Sequence, residues 1–389
     1  MSATASAPPR SHFPAAEQFL YLDAAHQTPL SVPVRNALDA FYDEALESAG
    51  PKKRWLARLT DVRARLAAFL GVDADQIAFT KNTSEGINIA AHGLHVEPGD
   101  NVLLLEGEHP NVAYAWLNRQ PDGLEVRMVP QDGRKKWADA DTFAAYVDDR
   151  TRAIALSHVM FHNGQRNDVA GIARLARAHG AEVVVDAMQS VGVLDVDARA
   201  LGASVLAAGC HKGLLVPQGL GLLCTPYGAK GLRPTYMALA GVADPDEHVV
   251  VGAGRVEPRG DARRFEIGNF NLPAIHALAA ALDLIEGLGV RDIERHVLDL
   301  GDHLIAHLDD LGIALVGPRE REHRSHIHVL DLPASRWAGF LAAEGARLSS
   351  VRDGIRISFG LYNNAEDVDR LAALLRRGLR TLPHRAAVR

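Results

Sequence analysis

Apolar positions along this chain follow two different repeats, and the places where one gives way to the other outline an architecture. Over residues 31–48 and 55–70 they return every three or four positions, as at Leu56, Leu59, Val62, Leu66 and Phe69, which predicts two amphipathic helices. The first opens at Ser31 as N-cap with Pro33 in its first turn, and stops at Gly50-Pro51. Short continuous apolar runs follow at 76–80, 101–105, 153–158, 182–185, 204–208 and 219–224, with helical stretches between several of them. Runs of that length read as strands buried on both faces, hence a large α/β unit with a mostly parallel sheet. After Asn271 the period lengthens into helices over 272–287 and 292–311. A strand at 327–332, a helix at 335–344, a strand at 354–359 and a closing helix at 365–382 complete the pattern. The expected organisation is a flexible N-terminal arm over 1–20, with Pro8, Pro9 and Pro14, a large domain over 21–271 and a small α+β domain over 272–389. No internal repeat or separate regulatory module is visible.

Composition narrows the class without deciding the chemistry. With 389 residues, 47% hydrophobic and 23% charged, the chain is expected to be an ordinary globular protein with a large core. A net charge of −6 argues against nucleic acid as a partner, because neutralising phosphates needs a basic face. Cys210 and Cys224 are the two cysteines, too few for a disulfide framework or a zinc cluster. A reducing cytoplasmic location and no metal ligand set are therefore expected. No apolar run reaches the ~18 residues of a membrane span, and residues 1–16 lack the apolar centre of a signal peptide.

Two residues at strand ends suggest a cofactor. Asp186 ends the run Ala181-Glu182-Val183-Val184-Val185, and Lys212 follows 26 residues later in the turn Gly209-Cys210-His211-Lys212-Gly213. Neighbouring parallel strands would bring both to the sheet edge where α/β proteins bind ligands. Pyridoxal 5'-phosphate (PLP) needs such a pair, a lysine for its Schiff base and an acid on its pyridine nitrogen. The same spacing also arises by chance in chains of this length. Thr83 and Ser84 precede an apolar helix that begins near Glu85. They read either as a simple cap or as an anion site at a helix start.

The wider pattern supplies context. Tyr21-Leu22-Asp23-Ala24-Ala25, Asn82-Thr83-Ser84-Glu85-Gly86-Ile87-Asn88, Glu108-His109-Pro110-Asn111, Asp186-Ala187-Met188-Gln189, His211-Lys212, Phe265-Glu266-Ile267-Gly268 and Arg356-Ile357-Ser358 occur in order from Tyr21 to Arg370. In these motifs the chain resembles the class V aminotransferase family of fold-type I PLP enzymes, which includes cysteine desulfurases, selenocysteine lyases, kynureninases and isopenicillin N epimerase-like proteins. The resemblance implies a seven-stranded, mostly parallel sheet with a small C-terminal domain, and PLP as cofactor. It implies Lys212 as Schiff base and later base, Asp186 on the ring nitrogen, and Gln189 on the phenolic oxygen. Thr83, Ser84 and His211 would hold the phosphate. His109 would stack on the ring, and Arg356 would grip the substrate carboxylate. His26 is a candidate for facing the substrate. Asn269 stands where the family often has a threonine that reaches a neighbouring subunit's phosphate, which would require a homodimer with a shared active site.

Departures from the family pattern bear on the reaction. A desulfurase needs a mobile thiolate shortly before the substrate arginine, yet residues 329–356 contain no cysteine and offer Leu348-Ser349-Ser350-Val351-Arg352-Asp353. Phe161 replaces an asparagine near the cofactor oxygen, Gly209 replaces a phosphate-binding serine, and the turn from Lys212 to Pro217 is one residue longer. Cys210 reads as a packing residue. The expected enzyme acts on an amino acid, a small-molecule substrate, through an external aldimine, most simply as a C–S lyase on a cysteine-type or S-conjugated substrate. Aminotransferase, decarboxylating oxidative deaminase and epimerase chemistry stay open, as does a PLP-binding protein without turnover.

Overall fold

The structure, a computed structural model, describes residues 10–131, 135–244 and 256–382. Its strands are β1 (Leu20–Tyr21), β2 (Ile77–Thr80), β3 (Asn101–Leu105), β4 (Glu125–Val129), β5 (Thr151–Ser157), β6 (Glu182–Asp186), β7 (Val205–Gly209), β8 (Gly221–Cys224), β9 (Ile327–Leu330), β10 (Ala346–Arg347), β11 (Ser349–Val351) and β12 (Gly354–Ser358). Seven of them form one sheet in the order β2-β8-β7-β6-β5-β3-β4. The run β7-β6-β5-β3-β4 is parallel throughout, and β8 is antiparallel to both of its neighbours. The mostly parallel seven-stranded sheet is therefore present, with one reversed strand.

Burial explains which strands the sequence displays clearly. Every residue of β3, β7 and β8 is buried, so each reads as an unbroken apolar run. Strand β4 lies at the sheet edge and carries Glu125 and Arg127 on its open side, with Arg127 bonded to Asp148 at 2.6 Å and to Glu125 at 2.9 Å. Charges suit an edge that must not pair with another chain, and they hide the strand from a search for apolar runs.

Helices cover both faces of the sheet and set the direction of its functional edge. The helix Thr83–Gly93 crosses β7 so closely at Gly86 that a Cβ there would lie 2.7 Å from Ala207 Cβ. That contact fixes the helix start beside the C-terminal end of β7. On the opposite flank, Arg63 and Glu266 form a buried pair at 2.6 Å, and Glu266 also accepts the Phe79 N–H at 2.9 Å. Two helices, Leu272–Leu288 and Val290–Leu311, meet at Gly289 with a bend of 73°. Gly289 has φ 83°, a conformation that favours glycine. Among the described residues, no single helix is long and apolar enough to cross a membrane.

A three-stranded antiparallel sheet, β11-β12-β9, follows, with the helix Ala365–Thr381 packed on Val290–Leu311. The N-terminal arm departs from expectation. Residues 1–9 lie outside the described residues, but from Arg10 onward the segment is anchored, with Phe13, Ala16 and Leu20 almost fully buried. Arg10 reaches Asp367 at 2.7 Å, and β1 pairs in parallel with β10. Three apolar side chains and one ion pair hold a segment whose prolines suggested freedom.

Candidate active site

Adjacent parallel strands bring the two key residues to one edge. Asp186 is the last residue of β6 and pairs in register with Ala207 of β7, and β7 runs out into His211 and Lys212. The turn after β6 and the lysine turn pack backbone to backbone. A Cβ on Gly213 would lie 2.2 Å from the Val191 carbonyl oxygen, so only glycine permits this approach. Leu215 occupies the left-handed region at φ 61°, an uncommon place for a non-glycine residue and a local strain within this turn. The N-terminal loop clamps the turn from outside, with Thr28 Oγ1 donating to the Lys212 carbonyl at 2.8 Å and Gln27 Nε2 to the His211 carbonyl at 3.2 Å.

These elements enclose a cavity of about 210 Å³. Thr83, Ser84, His109, Asp186, Gln189, His211 and Lys212 all line it, together with Asn82, Asn111, Ser157, Val159, Phe161 and Met188. Seven of the sequence candidates thus meet in one place. Three others lie elsewhere. Arg356 on β12 is buried beside the cavity, close enough for its charge to act on Lys212. His26 is exposed near His211. Asn269 lines a separate cavity of about 240 Å³ with Lys81, Glu85, Ile267 and Phe270.

Burial sets the protonation of the group. Lys212 is lowered to about 8, mainly by desolvation and also by Arg356, against the opposing charges of Asp186 and Asp23. Asp186 rises to about 6 because it is buried, against a hydrogen bond from the Met188 N–H at 2.8 Å to Oδ1 and the charge of Lys212. Burial, then Lys212, lowers both His109 and His211, the latter to about 4. Both rings are therefore neutral near pH 7. His109 Nδ1 accepts the Asn111 N–H at 3.1 Å, capping the helix Pro110–Leu117, and its ring meets Phe161 edge-on at 4.9 Å.

Several participants were not singled out in the sequence. Glu108 is buried, pushed up to about 7 mainly by desolvation, and receives the Ser157 hydroxyl at 2.6 Å and N–H at 2.7 Å. It stands directly before His109, so the motif held the signal. Asp23 binds Arg356 at 3.3 Å and accepts the Ser349 hydroxyl at 2.7 Å. Arg356 also donates to the Phe161 carbonyl at 3.2 Å, which leaves buried Nε without a partner. The Arg356 guanidinium, expected to grip the substrate carboxylate, is engaged here by Asp23 and the Phe161 carbonyl. His326 is buried near Lys212 and Arg356 with Nδ1 unpartnered, and the alternation Ser325-His326-Ile327-His328 was its only trace in the sequence.

A sequence model of the family described as Aminotransferase class-V matches residues 20–371. The chain belongs to the class V aminotransferase family. An uncharacterised protein of Schizosaccharomyces pombe (strain 972) is 39% identical over 92% of this chain and 84% of its own length. Among solved structures, an apo cysteine desulfurase from Thermococcus onnurineus NA1 superposes with TM-score 0.89 at 24% identity, covering 98% of this chain and 100% of that one. A cystine C-S lyase in complex with its product cysteine persulfide gives TM-score 0.83 at 25% identity, covering 93% and 98%. Family membership makes the chain a PLP-dependent enzyme.

The cavity fits that cofactor on its own observations. A buried carboxylate at the sheet edge needs a cationic partner, which a protonated ring nitrogen provides. Asn82 caps the helix Thr83–Gly93 by accepting the Glu85 N–H at 2.9 Å, and Thr83 and Ser84 of its first turn line the cavity, where a helix start favours an anion, with Thr83 Oγ1 lying 3.0 Å from Met188 Sδ. Gln189 donates Nε2 to the Ala25 carbonyl at 3.0 Å and keeps a buried, unpartnered Oε1 at the cavity.

Proposed function

We propose that this enzyme is a cytoplasmic, homodimeric C–S lyase acting on cysteine-type or S-conjugated cysteine substrates. The observation that carries this reading is the placement of sulfur. Cys210 and Cys224, the chain's two cysteines, are both fully buried, and desolvation pushes each thiol up to about 12. Neither can supply a mobile thiolate, so persulfide transfer through an enzyme cysteine has no nucleophile. Elimination of a sulfur leaving group needs none. The likeness to a cystine C-S lyase supports the same direction.

Each residue then has a physical task. Lys212 attaches the cofactor, Asp186 faces its ring nitrogen, and Thr83, Ser84 and His211 hold its phosphate. When bound, PLP supplies an electron-poor ring that stabilises negative charge on the substrate α-carbon. The neutral, planar His109 is suited to stack on that ring. Lys212, lowered to about 8, would hold a lone pair for a useful fraction of the time near neutral pH and would accept the substrate α-proton. Arg356 receives the substrate carboxylate in exchange for part of its contact with Asp23. Loss of the β-sulfur as thiolate then yields a keto acid and ammonia after water addition. Asn269, remote from this cavity, is assigned to the partner subunit's phosphate. The catalytic domain spans 21–271 and the small domain 272–389.

Mass spectrometry of products from cystine and a panel of S-substituted cysteines tests the reading. Pyruvate and ammonia are expected, with a released thiol from the S-substituted cysteines and cysteine persulfide from cystine, and no persulfide on the protein. Turnover that requires an added keto-acid acceptor would establish transamination instead. Solvent deuterium appearing at the α-carbon without cleavage would establish epimerisation, and aldehyde formation with loss of carbon dioxide and ammonia and consumption of dioxygen would establish decarboxylating oxidative deamination. A PLP-loaded protein inert towards the whole panel would favour binding without turnover.

A further inference from the structure

Two helices of the C-terminal region, neither of which contributes to the lining of the cofactor cavity, pack side by side. Val290–Leu311 buries Leu300, Leu304 and Leu308, while Ala365–Thr381 buries Val368, Leu371 and Leu375 in the same core cluster. His303 and His307 stand four residues apart on the first helix, a spacing that places both side chains on one face. From the second helix Asp369 projects between them. His303 Nε2 lies 2.7 Å and His307 Nε2 2.9 Å from the same oxygen, Asp369 Oδ1.

Two imidazole nitrogens converging on one carboxylate oxygen mark a common focal point. All three candidate ligand atoms lie within 4.8 Å of one another. In a tetrahedral zinc shell, with bonds of about 2.0–2.1 Å, neighbouring ligand atoms are about 3.3 Å apart. The observed separations therefore need to widen by about half an ångström. These side chains are partly exposed, with relative accessibilities of 40%, 24% and 56%, and have room to rotate. The helix backbones carrying them are fixed by the buried leucines between them.

We propose that His303, His307 and Asp369 form a surface site for a divalent transition-metal ion of the zinc class. Two imidazoles and one carboxylate suit Zn²⁺, Ni²⁺ or Co²⁺ and disfavour Mg²⁺ and Ca²⁺, which take oxygen ligands. Water completes the shell on the open side. The site is structural, because its three side chains are partly exposed and join two packed helices, so that the metal clips the closing helix to its neighbour across 62 and 66 residues of sequence. It uses none of the residues assigned to the cofactor or substrate, so it stands independently of the proposed lyase reaction.

Untagged holoenzyme titrated with Zn²⁺ in a calorimeter tests this, alongside the double variant His303→Ala/His307→Ala and the single variant Asp369→Asn. The wild type should bind one Zn²⁺ that the double variant does not, and Asp369→Asn should weaken that binding by at least about tenfold, since even outer-shell substitutions cost 10–100-fold. Zn²⁺ should raise the melting temperature of the wild type and leave that of the double variant unchanged, and Mg²⁺ should affect neither. Co²⁺ at the wild-type site should give the visible absorption of a bound, low-symmetry ion. Circular dichroism of the variants confirms their folding, which exposed substitutions should preserve. Equal Zn²⁺ stoichiometry and affinity in wild type and double variant, or no micromolar Zn²⁺ binding to the wild type, would overturn the proposal.

Discussion

The reactivity of Lys212 in the cofactor-free protein is the most discriminating property of the site. A lysine at its ordinary value of 10.5 is neutral about once in a thousand at pH 7.5, whereas one lowered to about 8 is neutral about a quarter of the time. The neutral, reactive fraction of Lys212 is therefore about 200-fold that of an ordinary lysine at this pH. Two substitutions should move the midpoint in opposite directions. Asp186, ionised above about 6, favours the ammonium, so Asp186→Asn should lower the midpoint. Arg356 disfavours the ammonium, so Arg356→Gln should raise it. Pulsed acetylation of apoprotein between pH 6 and 11, read by peptide mass spectrometry and normalised to exposed Lys52 and Lys53, gives all three midpoints. A wild-type midpoint near 10, or both variants moving the same way, would refute the electrostatic reasoning.

Other parts of the structure give separate expectations. Glu266→Ala strands Arg63 in the core and removes the acceptor for the Phe79 N–H, so it should destabilise the fold by about 3–5 kcal/mol in chemical denaturation. A Cβ at Gly209 would approach Met188 Sδ to 2.9 Å, so Gly209→Ser should cost about 1–3 kcal/mol by overpacking and weaken PLP retention. Adding Met188→Ala should restore both, as measured by melting temperature and cofactor release. Replacing Cys210 and Cys224 with serine should leave most turnover intact. Loss of activity with Cys210→Ser, together with persulfide on that cysteine in the wild type, would contradict elimination.

Legibility in the sequence tracked the physical character of each element. Strands buried on both faces, such as β3 and β7, read as unbroken apolar runs, whereas β4 was hidden by its edge charges and β11 by Ser349-Ser350. Residues with chemistry of their own at strand ends and helix starts, such as Asp186, Lys212 and Thr83, were visible because sheet topology alone puts them on one edge. The hidden residues act through others. Glu108 works beneath His109 by collecting donors from Ser157, and Asp23 is joined to Arg356 across 333 positions of sequence. No local spacing reports such a pair. The N-terminal segment was misjudged for a related reason, since its order depends on a distant Asp367 and on the burial of Phe13.

Borohydride reduction of the holoenzyme, followed by proteolysis and peptide mass spectrometry, tests the central claim most directly. Reduction fixes the cofactor irreversibly on the nitrogen that holds it. The account predicts a pyridoxyl-phosphate mass on the peptide containing Lys212, and none on that peptide in Lys212→Ala, together with loss of the near-ultraviolet-to-visible absorbance in that variant. The modification found on any other lysine, or a wild-type protein that stays colourless when supplied with PLP, would contradict it.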